Sequence, residues 1–554
     1  MKRTGVVALS VAVAALVVSE QPASSQAKPD LVVLIAVDQF GADLFNRGRS
    51  LYKAGLKRIV NESIVYSSAY QLHGLTETCA GHSTMLTGKH PNRTGIVANE
   101  WYDPSTGRQV YCVAAPEFTA AHSPTARKVG PTNLDATTLG DWMKEQQPAS
   151  RVVAVSGKDR SSITMAGHRA DAVFWFEDNF GFTTYLTAGE DGAQKLAPLA
   201  QLNARIKTEW AAPPDWTYVD ESCRKLEADY RFGKVTWHSQ LPPAPPAAGD
   251  KPPEKIRPVH LVDPLTLEAA RTLVDHYELG RRGVTDLLAV SFSATDFVGH
   301  GYGTQGPEMC DHIYRLDALI GEFLTFLEGL DRRVLVVMTA DHGGGDFPER
   351  LAQQGYTDAK RINGRAALAS LNAELKQKFS LAADPLTASD STQLYAVDGE
   401  GLALSEPLRT QVIDAAVAIL NGRPEVEAAF SLKELLAHKV TASTLTEYSV
   451  RDRYAMSVKA GRSGDIILAL KPGIAVTPAI PTRTLMQHTG PHRFDMAVPI
   501  TFWWPGMKGE TRILPVDTTM IAPTLANIIG FKAPDDLDGS CFDLGYPGAP
   551  SCKR

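Results

Sequence analysis

Continuous apolar runs, rather than alternating ones, set the pattern of this chain. Leu31-Val32-Val33-Leu34-Ile35-Ala36-Val37 has no polar position, and it ends on Asp38. An uninterrupted run of that kind predicts a strand buried on both faces, as in the middle of a parallel sheet. The pattern returns at 287–292, with Asp296 beyond it, and at 334–338, with Asp341 beyond it. A fourth run, 151–156, leads into Gly157-Lys158-Asp159-Arg160. Between these runs lie segments with apolar residues at helical spacing, 311–327 being the clearest. Strands alternating with helices predict an α/β fold, a central, mostly parallel sheet flanked by helices. Ligands of such sheets bind beyond the carboxyl ends of the strands, so Asp38, Asp296 and Asp341 are expected to converge on one crevice.

From 349 to 484 the pattern changes. Helix-like pieces at 366–378 and 407–421 alternate with shorter strand candidates, which predicts a smaller α+β subdomain inserted into the main one. The main α/β domain then comprises 28–348 and 485–554, with a strand-like return at 495–502 and a last helix at 518–529. A length of 554 residues fits two domains or one large elaborated domain. The Pro-rich stretch 242–258 reads as an exposed loop.

Composition changes this picture little. Hydrophobic residues at 44% and charged residues at 21% are ordinary for a globular enzyme, and a net charge of −6 offers no basic footprint for nucleic acid. The N-terminus adds more. Lys2 and Arg3 precede an apolar run over 6–18, and Ser25-Gln26-Ala27 places small residues at a cleavage point. Residues 1–27 therefore read as a signal peptide, giving a periplasmic or secreted protein with no stable membrane anchor after cleavage. In that compartment the six cysteines can form disulfides. Cys541 and Cys552, near each other in sequence, are the expected pair, while Cys79, Cys112, Cys223 and Cys310 leave the connectivity open. The absence of a Cys-x-x-Cys pattern argues against a zinc ribbon or thioredoxin-like site.

The candidate chemistry lies at the strand ends. Asp296 and His300, four residues apart, can share one ion on a helical turn. Asp341-His342-Gly343 forms a second pair, Asp38 adds a carboxylate and His488 an imidazole. Mixed Asp and His sets suit Zn²⁺ and similar borderline metals. Thr78 stands before a short helix-compatible run that Gly88 can end, a place where it can cap the helix or face a bound anion. Lys158 and Arg160 follow a core strand, and Asn99 stands in a turn-like segment.

In combination these residues resemble the alkaline phosphatase superfamily, most nearly the exported bacterial phosphate-irrepressible alkaline phosphatases with a threonine nucleophile. The resemblance covers roughly residues 30–545. It rests on Val37-Asp38-Gln39, Thr78-Cys79-Ala80-Gly81-His82, Asn99-Glu100-Trp101-Tyr102-Asp103, Lys158-Asp159-Arg160-Ser161, Asp296 with His300, Asp341-His342-Gly343, and His488 seven residues before Asp495. The family often has Thr-Ala-Cys-Gly-His where this chain has Thr-Cys-Ala-Gly-His, a swap expected to alter packing alone. The resemblance implies an alkaline-phosphatase-like fold and two zinc ions. One zinc would be held by Asp38, Asp341, His342 and the Thr78 oxygen, the other by Asp296, His300 and His488. His492 is a rival for the His488 role, and the spacing to Asp495 favours His488.

Thr78 would be the nucleophile, forming phosphothreonine, and Asn99, Lys158 and Arg160 would hold the phosphate oxygens. Three aspartates and one alkoxide balance two dications, so Lys158 and Arg160 leave two positive charges over, which suits a phosphomonoester dianion. Small-molecule phosphate esters are thus the expected substrates. The alternatives are a phosphodiesterase or nucleotide pyrophosphatase on the same fold, and a non-catalytic exported metal- or phosphate-binding protein. The sequence argues against a sulfatase, which would resemble its family through Cys-x-Pro-x-Arg, whereas Cys79 is followed by Ala80-Gly81-His82.

Overall fold

The computed structural model describes residues 28–244, 258–441, 444–478 and 484–552, so the expected signal peptide and most of the Pro-rich loop lie outside the described residues. The main sheet has nine strands: β1 (Leu31–Val37), β2 (Ile64–Tyr66), β3 (Val152–Ser156), β4 (Ala172–Glu177), β5 (Gly181–Thr183), β6 (Asp286–Phe292), β7 (Val334–Thr339), β8 (Ile500–Trp503) and β9 (Glu510–Arg512). Their order is β9-β2-β8-β7-β1-β6-β3-β4-β5. β7, β1, β6, β3 and β4 are parallel neighbours, while β8 and β5 run against the rest. The sheet is mostly parallel, as the apolar runs predict.

Both faces of β1 are covered. Leu31, Val33, Ile35 and Val37 enter one apolar cluster, and Val32, Leu34 and Ala36 enter the other. This is why the sequence shows no alternation here. Helices α1 (Thr78–Thr87), α2 (Asp159–Ala166), α3 (Ala294–Tyr302) and α4 (Pro307–Glu328) follow β2, β3, β6 and α3 in the chain. Gly306 and a proline at the first helical position extend α4 four residues ahead of the predicted start.

Between residues 349 and 484 the chain builds a second, antiparallel sheet, in the order Leu386–Ala388, Gln393–Ala396, Ile466–Leu470, Val426–Ser431. Helices Gly364–Phe379 and Leu408–Asn421 give it a core of its own, including Leu371, Leu375, Val412 and Ile466. One segment differs from expectation. The run 495–502 divides into a short helix, Arg493–Met496, and strand β8, because Gly343 N–H donates to the Asp495 carbonyl and Pro499 breaks the segment.

Two further hairpins pair Glu100–Asp103 with Arg108–Tyr111 and Ala228–Phe232 with Val235–Ser239. Disulfides join Cys541 to Cys552, as expected, and also Cys79 to Cys112 and Cys223 to Cys310. Among the described residues no helix is long and apolar enough to cross a membrane.

Candidate active site

Four neighbouring parallel strands, β7, β1, β6 and β3, deliver Asp341, Asp38, Asp296 and Lys158 just past their carboxyl ends. Adjacent strands lie about 4.8 Å apart, so strand order alone lines these side chains up. All four are buried. Asp296 and His300 lie one turn apart on α3, with His300 Nε2 3.2 Å from Asp296 Oδ1.

Two groups of candidate ligands result: Asp38, Asp341 and His342, and Asp296, His300 and His488. Within each group the ligand atoms lie within 4.8 Å of one another. The groups adjoin, since the His342 and His488 rings stack with centroids 3.7 Å apart.

The hydrogen bonds fix the tautomer of all three imidazoles. His342 Nδ1–H donates to Gly343 O at 2.9 Å, His300 Nδ1–H to Met486 O at 2.9 Å and His488 Nδ1–H to Thr76 O at 2.8 Å. Each Nε2 lone pair then faces a carboxylate. His342 Nε2 is 3.4 Å from Asp341 Oδ2 and 3.7 Å from Asp38 Oδ1, and His488 Nε2 is 3.5 Å from Asp296 Oδ1. Two acceptors facing each other repel unless a proton or a cation lies between them. Burial opposes the proton at His342, whose pKa falls to about 3, and it lowers His488 as well. For His300, burial is outweighed by the Asp296 carboxylate, and the net shift is upward. Asp341 Oδ2, His342 Nε2 and Asp38 Oδ1 have no hydrogen-bond partner among the described residues. The donor set and these orphaned atoms fit divalent cations.

Further side chains hold the carboxylates in place. Asp341 Oδ1 accepts from Gln39 N–H and His342 N–H, both at 3.0 Å, while Gln39 Nε2 donates to Asp296 Oδ1 at 3.2 Å. Gln39 has a left-handed backbone, φ 63°, which turns its side chain from one group to the other. His82 Nδ1–H donates to the Thr78 carbonyl at 2.9 Å and lies 3.1 Å from Asp341 Oδ2, tying helix α1 to the first group. Burial and then the Asp341 carboxylate push the Asp38 pKa up. At Asp296 burial is overcome by His300 and Lys158, which hold its pKa well down.

Thr78 is the first helical residue of α1, and Glu77, whose side chain makes no capping bond, is the N-cap. Thr78 is thus one position inside the expected cap, where its own N–H is among the free donors of the helix start. Burial raises the Glu77 carboxyl to about 8. Gly88 ends the helix in the left-handed region, φ 68°, as expected. Gly81 faces the β7 end, and a Cβ there would run into the Asp341 carbonyl. Gly81→Ala is therefore expected to destabilise the protein by about 1–3 kcal/mol in chemical denaturation, as overpacking does. The accompanying shift of Asp341 is expected to lower kcat/KM about 10²-fold.

Lys158 sits between the two groups. Its ammonium lies 2.6 Å from Asp38 Oδ2 and 2.5 Å from Asp296 Oδ2, so it spans the two groups rather than standing in the open mouth. Arg160 and Asn99 do line that mouth, a cavity of about 460 Å³ shared with Glu77, Tyr111, His300 and His488. A second cavity, of about 610 Å³, reaches His488 from the side of the antiparallel sheet. His492 points away from the centre, with Nε2 2.7 Å from Leu470 O.

Sequence reasoning assigned no role to Gln39, Glu77, His82 or Tyr111. One signal was available: His82 follows Thr78 by four residues, which puts both on one helix face.

A sequence model described as type I phosphodiesterase / nucleotide pyrophosphatase matches residues 32–495. Alkaline phosphatase PhoK of a Sphingomonas species is 35% identical over 534 residues, covering 95% of this chain and 92% of that protein. Alkaline phosphatase PafA of Elizabethkingia meningoseptica is 30% identical over 558 residues, covering 96% and 97%. A crystal structure of wild-type alkaline phosphatase PafA matches with a TM-score of 0.79 and 26% identity, over 93% of this chain and 98% of that one. Human ectonucleotide pyrophosphatase / phosphodiesterase 5 matches with a TM-score of 0.50 and 14% identity, over 92% and 97%, a likeness of fold.

Proposed function

The chain belongs to the type I phosphodiesterase / nucleotide pyrophosphatase family, and from that premise we propose that it is an exported, metal-dependent alkaline phosphatase that cleaves phosphate monoesters through phosphothreonine at Thr78. The observation that carries this reading is the pair of adjoining Asp/His groups, with inward Nε2 lone pairs, beside the helix that begins at Thr78. Relatives that match nearly the whole chain are named alkaline phosphatases, which supports monoesters over diesters.

We assign one zinc ion to Asp38, Asp341, His342 and Thr78, and the other to Asp296, His300 and His488. When bound, such cations supply Lewis acidity and offset the negative charge of the carboxylates and the phosphoryl group. The Thr78 oxygen bonds to phosphorus as the bond to the leaving oxygen breaks, and the hydroxyl proton ends on the departing alcohol. Water then attacks the phosphothreonine, the bond to Thr78 breaks, and the threonine hydroxyl and inorganic phosphate are released. Residues 1–27 as signal peptide, and 349–484 as an inserted subdomain, belong to the same proposal.

Asn99 and Arg160, in the mouth, are assigned to phosphoryl oxygens, and Lys158 supplies a point charge at the seam of the two groups. Arg suits a bidentate grip on phosphate. Each charged hydrogen bond is worth about 1.5–3 kcal/mol, so Lys158→Ala with Arg160→Ala is expected to lower monoester kcat/KM about 10³-fold. Diester hydrolysis should fall far less, because a monoanion needs less charge. Steady-state rates on a matched pair of aryl esters decide this, and equal losses would remove the charge argument.

A further inference from the structure

We propose that the Cys79–Cys112 disulfide, with Tyr111, is a positioning strap that sets the nucleophile helix, Asn99 and Arg160 in one register for the phosphoryl group. This rests on the assignment of Asn99 and Arg160 to phosphate oxygens made above. Cys79 is the residue after Thr78 in α1, and its sulfur is bonded to Cys112, 33 positions on. Asn99 is held from both halves of the cystine: Cys79 N–H donates to its side-chain oxygen at 2.9 Å, and Cys112 N–H donates to its backbone carbonyl at 2.9 Å. Glu77 closes the loop by accepting the Asn99 N–H at 2.6 Å. With the Asn99 oxygen committed, its NH₂ group is the end left to donate to an anion.

The strap extends to Arg160 through the residue beside Cys112. Tyr111 ends the strand that pairs with Glu100–Asp103. Its hydroxyl donates to Asp159 Oδ1 at 2.5 Å and accepts from Arg160 Nη1 at 3.5 Å. The same Asp159 oxygen takes the Arg160 N–H at 2.7 Å. The covalent bridge joins the nucleophile helix to the Asn99 hairpin, and the Tyr111 hydrogen bonds extend it to Arg160, so three segments that each carry one group assigned to the phosphoryl centre are linked. Both half-cystines are fully buried. A sulfur that solvent cannot reach is not a reversible thiol switch in the folded enzyme, so the bridge acts as a fixed brace.

The test uses the full-length, metal-loaded protein and inorganic phosphate as the probe. Cys79→Ala/Cys112→Ala and Tyr111→Phe are compared with wild type for kcat, KM and the phosphate inhibition constant, alongside metal content. Misplacement by about an ångström can cost about 10²-fold, so a 10- to 100-fold rise in both KM and the phosphate inhibition constant is expected, with metal content unchanged. The two effects should be less than multiplicative when combined, because a loosened hairpin has already freed Tyr111. A bridge that only stabilises the fold would lower Tm and leave both constants at wild-type values, and that result in the folded cystine variant overturns the proposal. If the cystine variant fails to fold, Tyr111→Phe decides by the same criterion. Asn99→Ala separates the two layers: an unchanged phosphate constant there refutes the grip and the strap together. A raised constant there, with an unchanged cystine variant, refutes the strap alone.

Discussion

Thr78→Ala is expected to lower kcat/KM for an aryl phosphate monoester by at least about 10⁴-fold, the scale seen when a hydrolase loses its nucleophile. The substitution removes the only atom assigned to attack phosphorus and leaves the backbone of α1 in place. All ten residues of that helix are buried, and its tie to Asp341 runs through the Thr78 carbonyl and His82 rather than through the hydroxyl. Circular dichroism should therefore match wild type, and the variant is assayed with Zn²⁺ in excess, because it lacks one of the four groups assigned to the first zinc ion. Undiminished turnover in a folded, metal-loaded variant would remove Thr78 from the mechanism.

Exhaustive chelation is expected to produce a comparable loss, at least about 10³-fold, restored by added Zn²⁺. The reason is visible in the centre itself. Asp38, Asp296 and Asp341 are buried side by side, and Lys158 is the cation bonded between two of them. Buried charge without compensation costs several kcal/mol per ion, so cations are expected to stabilise the fold as well as the reaction. A ligand present at a thousand times its Kd adds about 4 kcal/mol, and the chelated protein should melt at a correspondingly lower temperature. Unaltered activity after chelation, with metal analysis showing an empty protein, would contradict the assignment.

The parts of this architecture that could be read from the sequence are those in which one-dimensional pattern and three-dimensional placement coincide. β1, β6 and β7 are legible because burial on both faces leaves an unbroken apolar run. Asp38, Asp296 and Asp341 are legible because strand ends of a parallel sheet share one side. Asp296 and His300 are legible because four residues make a helical turn. The split of 495–502 into a helix and β8 was hidden, since the bond between Gly343 and Asp495 is long-range. So was the Cys79–Cys112 pairing: the turn Asp103-Pro104-Ser105-Thr106-Gly107 is readable, but which cysteine the hairpin brings to Cys79 depends on where it packs. Lys158 shows a different limit. Its position after β3 is readable, but its contact with two carboxylates depends on which strands neighbour β1, and strand order is not written in local periodicity.

Ester charge is the point on which the family name and the names of the relatives divide. The direct measurement is the ratio of kcat/KM for an aryl phosphate monoester to that for the diester with the same leaving group, on purified, zinc-loaded wild-type protein. With Lys158 and Arg160 adding two charges beyond those balanced by the ligands, the account predicts a ratio of at least about 10² in favour of the monoester. A ratio near one, or a preference for the diester, would contradict it.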